Sequence, residues 1–241
     1  MPGLLSIERR DAVALVTMRR PEKRNALSID LRIEIADAFT AMSEDAGIGC
    51  IVLTGAGPAF CSGMDTTQFG GDLDNRRRLV ETSTAAFEAV GNCARPVIAA
   101  VNGPALAGGF ALALLCDLRI AGAAASFGYP ELPRGLPPGY AAGRAVLPAT
   151  VAQDLCLTGR VITAAEAVRL SVAREAVDGD VVARAVELAE RIASLPRDAI
   201  IETKRRTLLE RSHLWGFLFA DERRVFRRAL LGEENGDDEA A

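Results

Sequence analysis

Histidine is almost absent from this sequence, whose 241 residues include only one, His213. A nucleophilic enzyme of the Ser–His–Asp or Cys–His type would have to use that single imidazole. A zinc site of the usual histidine and cysteine types would have to be built almost wholly from scattered cysteines. The sequence therefore argues against a metal site and favours a carboxylate as any general base.

Long apolar runs are also missing. The nearest approach is the stretch 97–116, which is broken by Asn102, Gly103, Pro104 and two further glycines. No segment reaches the ~18 apolar residues that a membrane-spanning helix needs, and the N-terminus has no apolar signal-peptide core. The five cysteines are odd in number and form no C-x-x-C pair, which favours reduced thiols. We therefore expect a cytoplasmic protein with no membrane partner.

An excess of positive charge is absent as well. Lysine and arginine number 28 against 32 aspartates and glutamates, which gives a formal net charge of −4. A protein with this balance has no general attraction to nucleic acid or to anionic lipid surfaces. The hydrophobic fraction of 49% is ordinary for a globular protein, and 241 residues suffice for a sizeable core. We therefore expect a globular fold and no nucleic-acid partner.

Apolar segments of strand length alternate with segments of helical periodicity along most of the chain. Strands are predicted over 12–18, 48–55, 95–103, 117–123 and 171–177, and helices after the cap Ser28 and over 74–92 and 108–116. This alternation is typical of an α/β fold. We predict an α/β core over 1–178, a helical section over 179–231, helical throughout from about residue 180, and an acidic, disordered tail over 232–241.

Two adjacent glycines, Gly108 and Gly109, interrupt the apolar stretch GPALAGGFALALL. Alanine at either position would stabilise a helix by about 0.5–1 kcal/mol. Close packing of the helix against a strand is one explanation. The other is a ligand atom next to the main chain, where free N–H groups of this loop and of GMDTTQ (63–68) would converge as an oxyanion hole. The residues alone leave both explanations open.

Several longer signatures extend over nearly the whole chain. They are RRPEKRNALS (19–28), GAGPAFCSGMD (55–65), RPVIAAVNGPALAGGFALALLCDLRIA (95–121), FGYPELPRGLPPG (127–139), LTGRVITAAEA (157–167) and ADERRVFRRAL near the end. In this order and spacing the chain resembles the crotonase superfamily, also called the enoyl-CoA hydratase/isomerase family. The resemblance implies a spiral of repeated ββα units with a helical C-terminal section. It also implies assembly as a homotrimer or as a dimer of trimers.

The resemblance implies in addition an acyl-CoA substrate that is held by backbone groups. The N–H groups of Met64 and Gly108 would bind the thioester carbonyl and stabilise an enolate. Coenzyme A would be part of the substrate, so no separate cofactor is expected. The residues expected to bind the substrate are Arg24, Ala26, Leu27, Ser62, Asp65, Thr66, Thr67, Gly109 and Tyr140, with Lys23 as a further charge for the phosphates.

The chain departs from the hydratases of that family at one of their two acid/base positions, and a second departure places Tyr140 in the family's G-A-G-G turn. Those enzymes use two glutamates; Glu131 matches one of them, and Ala111 stands where the other would be. This arrangement resembles the Δ3,Δ2-enoyl-CoA isomerases of the family, so we favour double-bond isomerisation with Glu131 as the sole acid/base. One alternative is a hydratase with a modified site, in which Tyr140 or a water replaces the lost carboxylate. The other is an acyl-CoA-binding protein without turnover.

Overall fold

Two β-sheets organise the structure, a computed structural model that describes residues 3–232. The strands within these residues are β1 (Leu5–Arg10), β2 (Val13–Met18), β3 (Cys50–Gly55), β4 (Val97–Val101), β5 (Ala105–Leu106), β6 (Leu118–Gly122), β7 (Ser126–Gly128), β8 (Val161–Thr163) and β9 (Glu175–Val177).

Eight α-helices within residues 3–232 cover these sheets. They are α1 (Ile29–Glu44), α2 (Leu73–Gly91), α3 (Gly108–Leu115), α4 (Tyr140–Val146), α5 (Ala149–Thr158), α6 (Ala164–Arg169), α7 (Val181–Ala193) and α8 (Arg197–Leu231). Short 3-10 turns occupy Pro21–Lys23, Thr66–Gln68 and Leu132–Arg134.

The larger sheet has the strand order β1-β2-β3-β4-β6-β9. β1 and β2 pair antiparallel, and every other neighbouring pair in it is parallel. Along β3, Ile51 and Leu53 belong to the main core, whereas Cys50 and Val52 belong to a second cluster that includes α7. Because both faces of this sheet are covered, β3 needs apolar residues at nearly every position. This requirement explains the continuous apolar run that predicted the strand.

The second sheet is small, and the short pairings around it position the segments that carry the predicted site residues. It contains β5, β7 and β8, and the isolated bridges Cys61–Ala105 and Leu27–Met64 continue the same kind of short pairing between earlier segments. Except for β8, which follows α5, each segment follows a strand of the larger sheet and precedes a helix, so the chain repeats a β–β–α unit. The repeat brings together residues that lie just before different helices.

Helix α1 forms as its sequence predicts. The Ser28 side chain accepts a hydrogen bond from the Leu31 backbone N–H at 3.3 Å, which caps the helix. Ile35, Phe39 and Met42 are buried on the same face as Leu31. This stripe joins the main core and fixes the segment that enters the helix from Leu27.

The structure corrects the predicted elements in three places. The sequence pattern does not reveal β1, nor the short strands β5, β7 and β8, of only two or three residues. The strand predicted over 171–177 is confined to β9, which pairs with β6. The helix predicted from about residue 180 to 231 is interrupted between α7 and α8, because the ring of Pro196 cannot continue a helix.

Helix α8 lies against the core for much of its length. Trp215 is buried and stacks on Phe219 with ring centroids 5.1 Å apart. Nearer the start of the helix, Lys204 forms an ion pair with Asp117 at 2.6 Å. These contacts fasten the C-terminal helix to the α/β core.

The predicted division of the chain falls in the turn between β9 and α7 and stays a prediction. Of the predicted tail 232–241, only Gly232 is described, where it ends α8; residues 233–241 lie outside the described residues. Among residues 3–232, no helix is long and apolar enough to cross a membrane.

Candidate active site

The two adjacent glycines at the start of α3 have different surroundings. A Cβ atom on Gly109 would lie 2.2 Å from the Cys61 backbone oxygen, so packing alone excludes a side chain there. The three atoms nearest to a Cβ atom on Gly108 would be side-chain carbons of Leu27, Phe87 and Met64, at 3.6–3.7 Å. That spacing is ordinary van der Waals contact. Packing therefore explains Gly109 and leaves Gly108 to be explained by something else.

The residue before Gly108 holds an unusual backbone conformation. Ala107 has φ 51° and ψ −126°, a region that costs a residue with a side chain about 1–3 kcal/mol. Its carbonyl oxygen accepts hydrogen bonds from the N–H groups of Phe110 and Ala111. In a trans peptide the C=O and N–H groups point in opposite directions. The Gly108 N–H therefore points out of the N-terminal end of α3.

A second N–H group approaches from the loop after β3. The Leu27 N–H donates to the Gly63 carbonyl at 2.8 Å, so the Met64 N–H of the same peptide points away from Leu27. Gly63 has φ +97°, and a Cβ atom there would lie 3.3 Å from the Gly108 nitrogen. Within the described residues, neither the Met64 nor the Gly108 N–H has a protein acceptor. Two free donors from separate loops thus lie close together.

The carboxyl group of Glu131 has an unpartnered oxygen and a raised pKa. Glu131 directly precedes the 3-10 turn Leu132–Arg134, and its Oε2 atom is buried with no hydrogen-bond partner in the described part of the chain. Burial raises its pKa to about 7, against the opposing effects of its own backbone N–H and of Arg134. A carboxyl group with a pKa near neutral can both accept and return a proton.

Ala111 is buried in the main core, close to Gly139. A Cβ atom on Gly139 would lie 3.7 Å from the Ala111 Cβ, and the Tyr129 hydroxyl donates to the Gly139 carbonyl at 3.0 Å. Phe110 packs on Tyr129 with ring centroids 5.0 Å apart. Tyr140, half-buried, is the first residue of α4. Position 111 thus places a methyl group, and no carboxylate, beside Gly139.

Glu222 holds the backbone at the start of α4, although no local sequence pattern marks it. Its Oε1 atom accepts a hydrogen bond from the Ala141 N–H at 2.6 Å, across 81 residues of sequence. Burial raises the pKa of Glu222 to about 7, against hydrogen bonds from the Ala141 and Tyr140 backbones. Glu222 therefore fixes the start of α4. A contact between residues so far apart leaves no local signal in the sequence.

The two loops expected to bind coenzyme A are held by Arg20. Its guanidinium donates to the Ala26 carbonyl and pairs with the Asp65 carboxylate at 2.9 Å. Asp65 also accepts from the backbone and hydroxyl of Thr67, the latter at 2.6 Å. Burial opposes ionisation of Asp65, but these bonds outweigh it and lower its pKa. The Asp65 side chain is thus occupied within the protein, and its backbone is what it can offer a ligand.

The sequence model of a family described as enoyl-CoA hydratase/isomerase matches residues 8–212. The chain belongs to this family. A probable enoyl-CoA hydratase of Rhizobium meliloti is 36% identical over 98% of this chain and 93% of that protein. An enoyl-CoA hydratase of Mycobacterium tuberculosis is 40% identical over 83% of this chain and 80% of that protein.

Solved structures agree on the fold of this enoyl-CoA hydratase/isomerase family member. An enoyl-CoA hydratase/isomerase from Mycobacterium paratuberculosis has a TM-score of 0.85, with 28% identity over 96% of this chain and 98% of that one. A monofunctional enoyl-CoA isomerase from M. smegmatis has a TM-score of 0.71, with 31% identity over 90% and 94%. The predicted crotonase fold is confirmed. Because both kinds of enzyme resemble the chain, the comparisons leave its reaction open.

The fold brings several of the predicted site residues together. Leu27, Met64 and Gly108 meet at the paired loops, as the bridge between Leu27 and Met64 shows. His213 is exposed on α8. Within residues 3–232, no group of three or more His, Cys, Asp or Glu side chains could hold a metal ion. The remaining predicted binding residues lie on the two loops, namely exposed Arg24, Thr66 and Thr67, buried Ala26, and half-exposed Ser62.

Proposed function

We propose that this enzyme moves a double bond in an enoyl-CoA from position 3 to position 2. The observation that carries the proposal is the carboxyl group of Glu131, which has a buried oxygen without a partner among residues 3–232, while Ala111 stands where family hydratases place a second glutamate. One acid/base is enough for isomerisation, because the same group can remove a proton and return it at another carbon.

The backbone N–H groups of Met64 and Gly108 would stabilise the thioester enolate, which is the intermediate of this reaction. The thioester oxygen would accept hydrogen bonds from the N–H groups of Met64 and Gly108, and these bonds strengthen as the oxygen gains enolate charge. A single donor of this kind contributes about 10²–10³ in rate. The Glu131 carboxylate takes the proton from C2, the electron pair moves into the thioester enolate, and the protonated Glu131 returns the proton at C4. No atom is gained or lost.

Hydration of a 2-enoyl-CoA is the second candidate, and the names of the two hydratases reported above favour it. That reaction needs a water activated at C3 and a proton delivered to C2. Losing one of two acid/base groups costs about 10²–10⁴ in rate. We therefore place hydration below isomerisation.

The remaining proposals concern binding and assembly. Coenzyme A would lie along the backbone of Ala26, Leu27 and residues 65–67, with Lys23 and Arg24 near its phosphates, and no separate cofactor would be needed. All five cysteines are buried free thiols, which fits the cytoplasmic location that we propose. Subunits would associate through α8, where Leu209, Phe217 and Val225 are exposed.

The test is to incubate the pure protein separately with trans-3- and trans-2-enoyl-CoA of several chain lengths. Mass and ultraviolet absorbance then identify the products. Conversion of the 3-enoyl substrate without a change of mass supports the proposal. Faster addition of water to the 2-enoyl substrate would establish the hydratase instead. Tight binding with no product from either substrate would identify a non-catalytic acyl-CoA-binding protein.

A further inference from the structure

A buried arginine lies behind the paired loops and has no part in the steps above. Arg32 is in the first turns of α1 and is 1% exposed. One guanidinium nitrogen donates to the Leu27 carbonyl at 2.5 Å, and another donates to the Leu79 carbonyl at 3.0 Å. Its Nε atom has no partner in the described part of the chain. Burying a cation costs free energy, so a buried arginine whose partners are carbonyl groups and not a carboxylate requires an explanation.

The charge of Arg32 is not balanced locally. Among residues 3–232 it forms no ion pair, and the carboxylate that acts on it electrostatically is Asp65. Asp65 is already paired with Arg20 at 2.9 Å. Two guanidinium groups therefore share one carboxylate. Burial lowers the pKa of Arg32 to about 10, so the group stays cationic at neutral pH.

The cation lies directly behind the candidate oxyanion hole. The Leu27 carbonyl that binds Arg32 also accepts from the Asp65 N–H at 3.3 Å, and Leu27 is bridged to Met64. On the other side, the Leu27 side chain reaches within 3.6 Å of the position that a Cβ on Gly108 would occupy. A single residue, Leu27, thus separates the guanidinium from the two free N–H donors.

We propose that the buried charge of Arg32 stabilises the enolate that the Met64 and Gly108 N–H groups hold. The inference rests on the proposed oxyanion hole. Charges act over longer distances in a protein interior than in water, and a fixed cation needs no rearrangement when the enolate forms. Arg32 is a positioning and electrostatic residue here, because it reaches the substrate only through Leu27. A purely mechanical clamp between α1 and α2 is the competing explanation.

Acetoacetyl-CoA separates the two explanations. Its C2 proton lies between two carbonyl groups, and loss of that proton gives an enolate with strong ultraviolet absorbance, so the pKa of the bound probe can be titrated directly. Glu131 would titrate in the same range, so every titration uses the Glu131→Gln background. Burial raises the pKa of Cys61 to about 12, which keeps this thiol neutral throughout.

The matched variants are Arg32→Lys and Arg32→Gln. Both keep a hydrogen-bond donor for the Leu27 carbonyl, but only lysine keeps the charge. We expect Arg32→Lys to retain the lowered pKa of the bound probe and Arg32→Gln to raise it by about one unit, a tenfold loss of enolate stabilisation. Butanoyl-CoA, whose carbonyl stays neutral, should bind both variants equally. Equal rises of the probe pKa in both variants would establish the clamp and overturn the proposal.

A second variant covers the case in which changes at Arg32 prevent folding. Asp65→Asn removes the carboxylate that Arg32 shares with Arg20 and keeps the shape of the side chain. The proposal requires a lower pKa of the bound probe in this variant, and an unchanged or higher one contradicts it. If the protein that retains Arg32 and Asp65 leaves the probe pKa at its value in water, the oxyanion hole itself is wrong, which is a separate failure from that of Arg32.

Discussion

Gly108 and Gly109 are neighbours in the sequence with different physical reasons to be glycine. The backbone of Cys61 excludes a side chain at Gly109, whereas open contact distances at Gly108 leave ligand approach as the reason. The sequence alone could pose this question and not answer it, because both explanations predict the same two letters. The Cys61 carbonyl that excludes a side chain at Gly109 lies 48 residues away in the chain. Only the folded structure shows that it contacts Gly109 and not Gly108.

This difference predicts opposite effects for two matched substitutions. Gly108→Ala should reduce acyl-CoA turnover by about 10²-fold, because the new methyl displaces the thioester from its donors, with little change in melting temperature. Gly109→Ala should lower stability by about 1–3 kcal/mol, because it meets the Cys61 backbone. Thermal unfolding and steady-state kinetics measure both. Near-normal activity in a folded Gly108→Ala variant would remove Gly108 from the hole.

Glu131 carries the second prediction at this scale. Glu131→Gln should reduce isomerisation by about 10²-fold or more, since the amide cannot accept the C2 proton. Because burial raises the pKa of Glu131 to about 7, the group is protonated at lower pH and cannot act as a base. The kcat/KM of the unmodified enzyme should therefore rise with pH and level off above about 7. A flat profile between pH 5 and 8, together with full activity of the glutamine variant, would exclude this role.

The third prediction at the residue scale concerns position 111. Ala111→Glu would restore a second carboxylate, so hydration of a 2-enoyl-CoA should increase by at least about tenfold relative to isomerisation. Ala111→Gln is the control, because it has the same size without a basic oxygen of comparable strength. The ratio of hydrated to isomerised product is the measurement. Equal ratios in the two variants would mean that the carboxylate does not reach the water.

At the scale of whole elements, sequence patterns succeed where local interactions decide the structure. Helix α1 and strand β3 follow from a cap, a periodic stripe and a continuous apolar run. Strands β5 and β7 have two and three residues and exist because a neighbouring segment supplies their hydrogen bonds, so no pattern within them is long enough to read. The contacts of Arg32 and Glu222 escape prediction for the same reason. The roles expected for Met64 and Gly108 came from family resemblance.

The anchoring of α4 by α8 makes a prediction about pH. Burial raises the pKa of Glu222 to about 7, so the folded protein keeps a proton that the unfolded chain has lost above about 4.5. Its contribution to stability is therefore fully present below that lower value and is lost as the pH rises through about 7. Glu222→Gln should flatten this decline by on the order of 1 kcal/mol, allowing for solvent screening. Chemical denaturation at pH 5 and pH 8 tests it; an unchanged slope would argue against it.

At the scale of the whole molecule, the exposed apolar side chains of α8 predict that this helix contacts another subunit. Phe217 is 76% exposed, and Leu209 and Val225 are exposed on the same helix. We expect a trimer or a dimer of trimers, and Phe217→Glu should weaken it. Analytical ultracentrifugation at micromolar concentration measures the mass. Phe217→Tyr serves as the control, and an unmodified protein that sediments as a monomer would contradict the assembly.

The bond from Glu222 to Ala141 also has a consequence for how the protein is made. Strands β1 to β7 and the two donor loops precede residue 130, so a growing chain can assemble them while α8 is still being synthesised. The wall beside Tyr140 receives its anchor only when α8 has docked. A nascent chain would thus form the two N–H donors of Met64 and Gly108 before the pocket beside them is complete. Binding specificity would be the last property that the protein acquires.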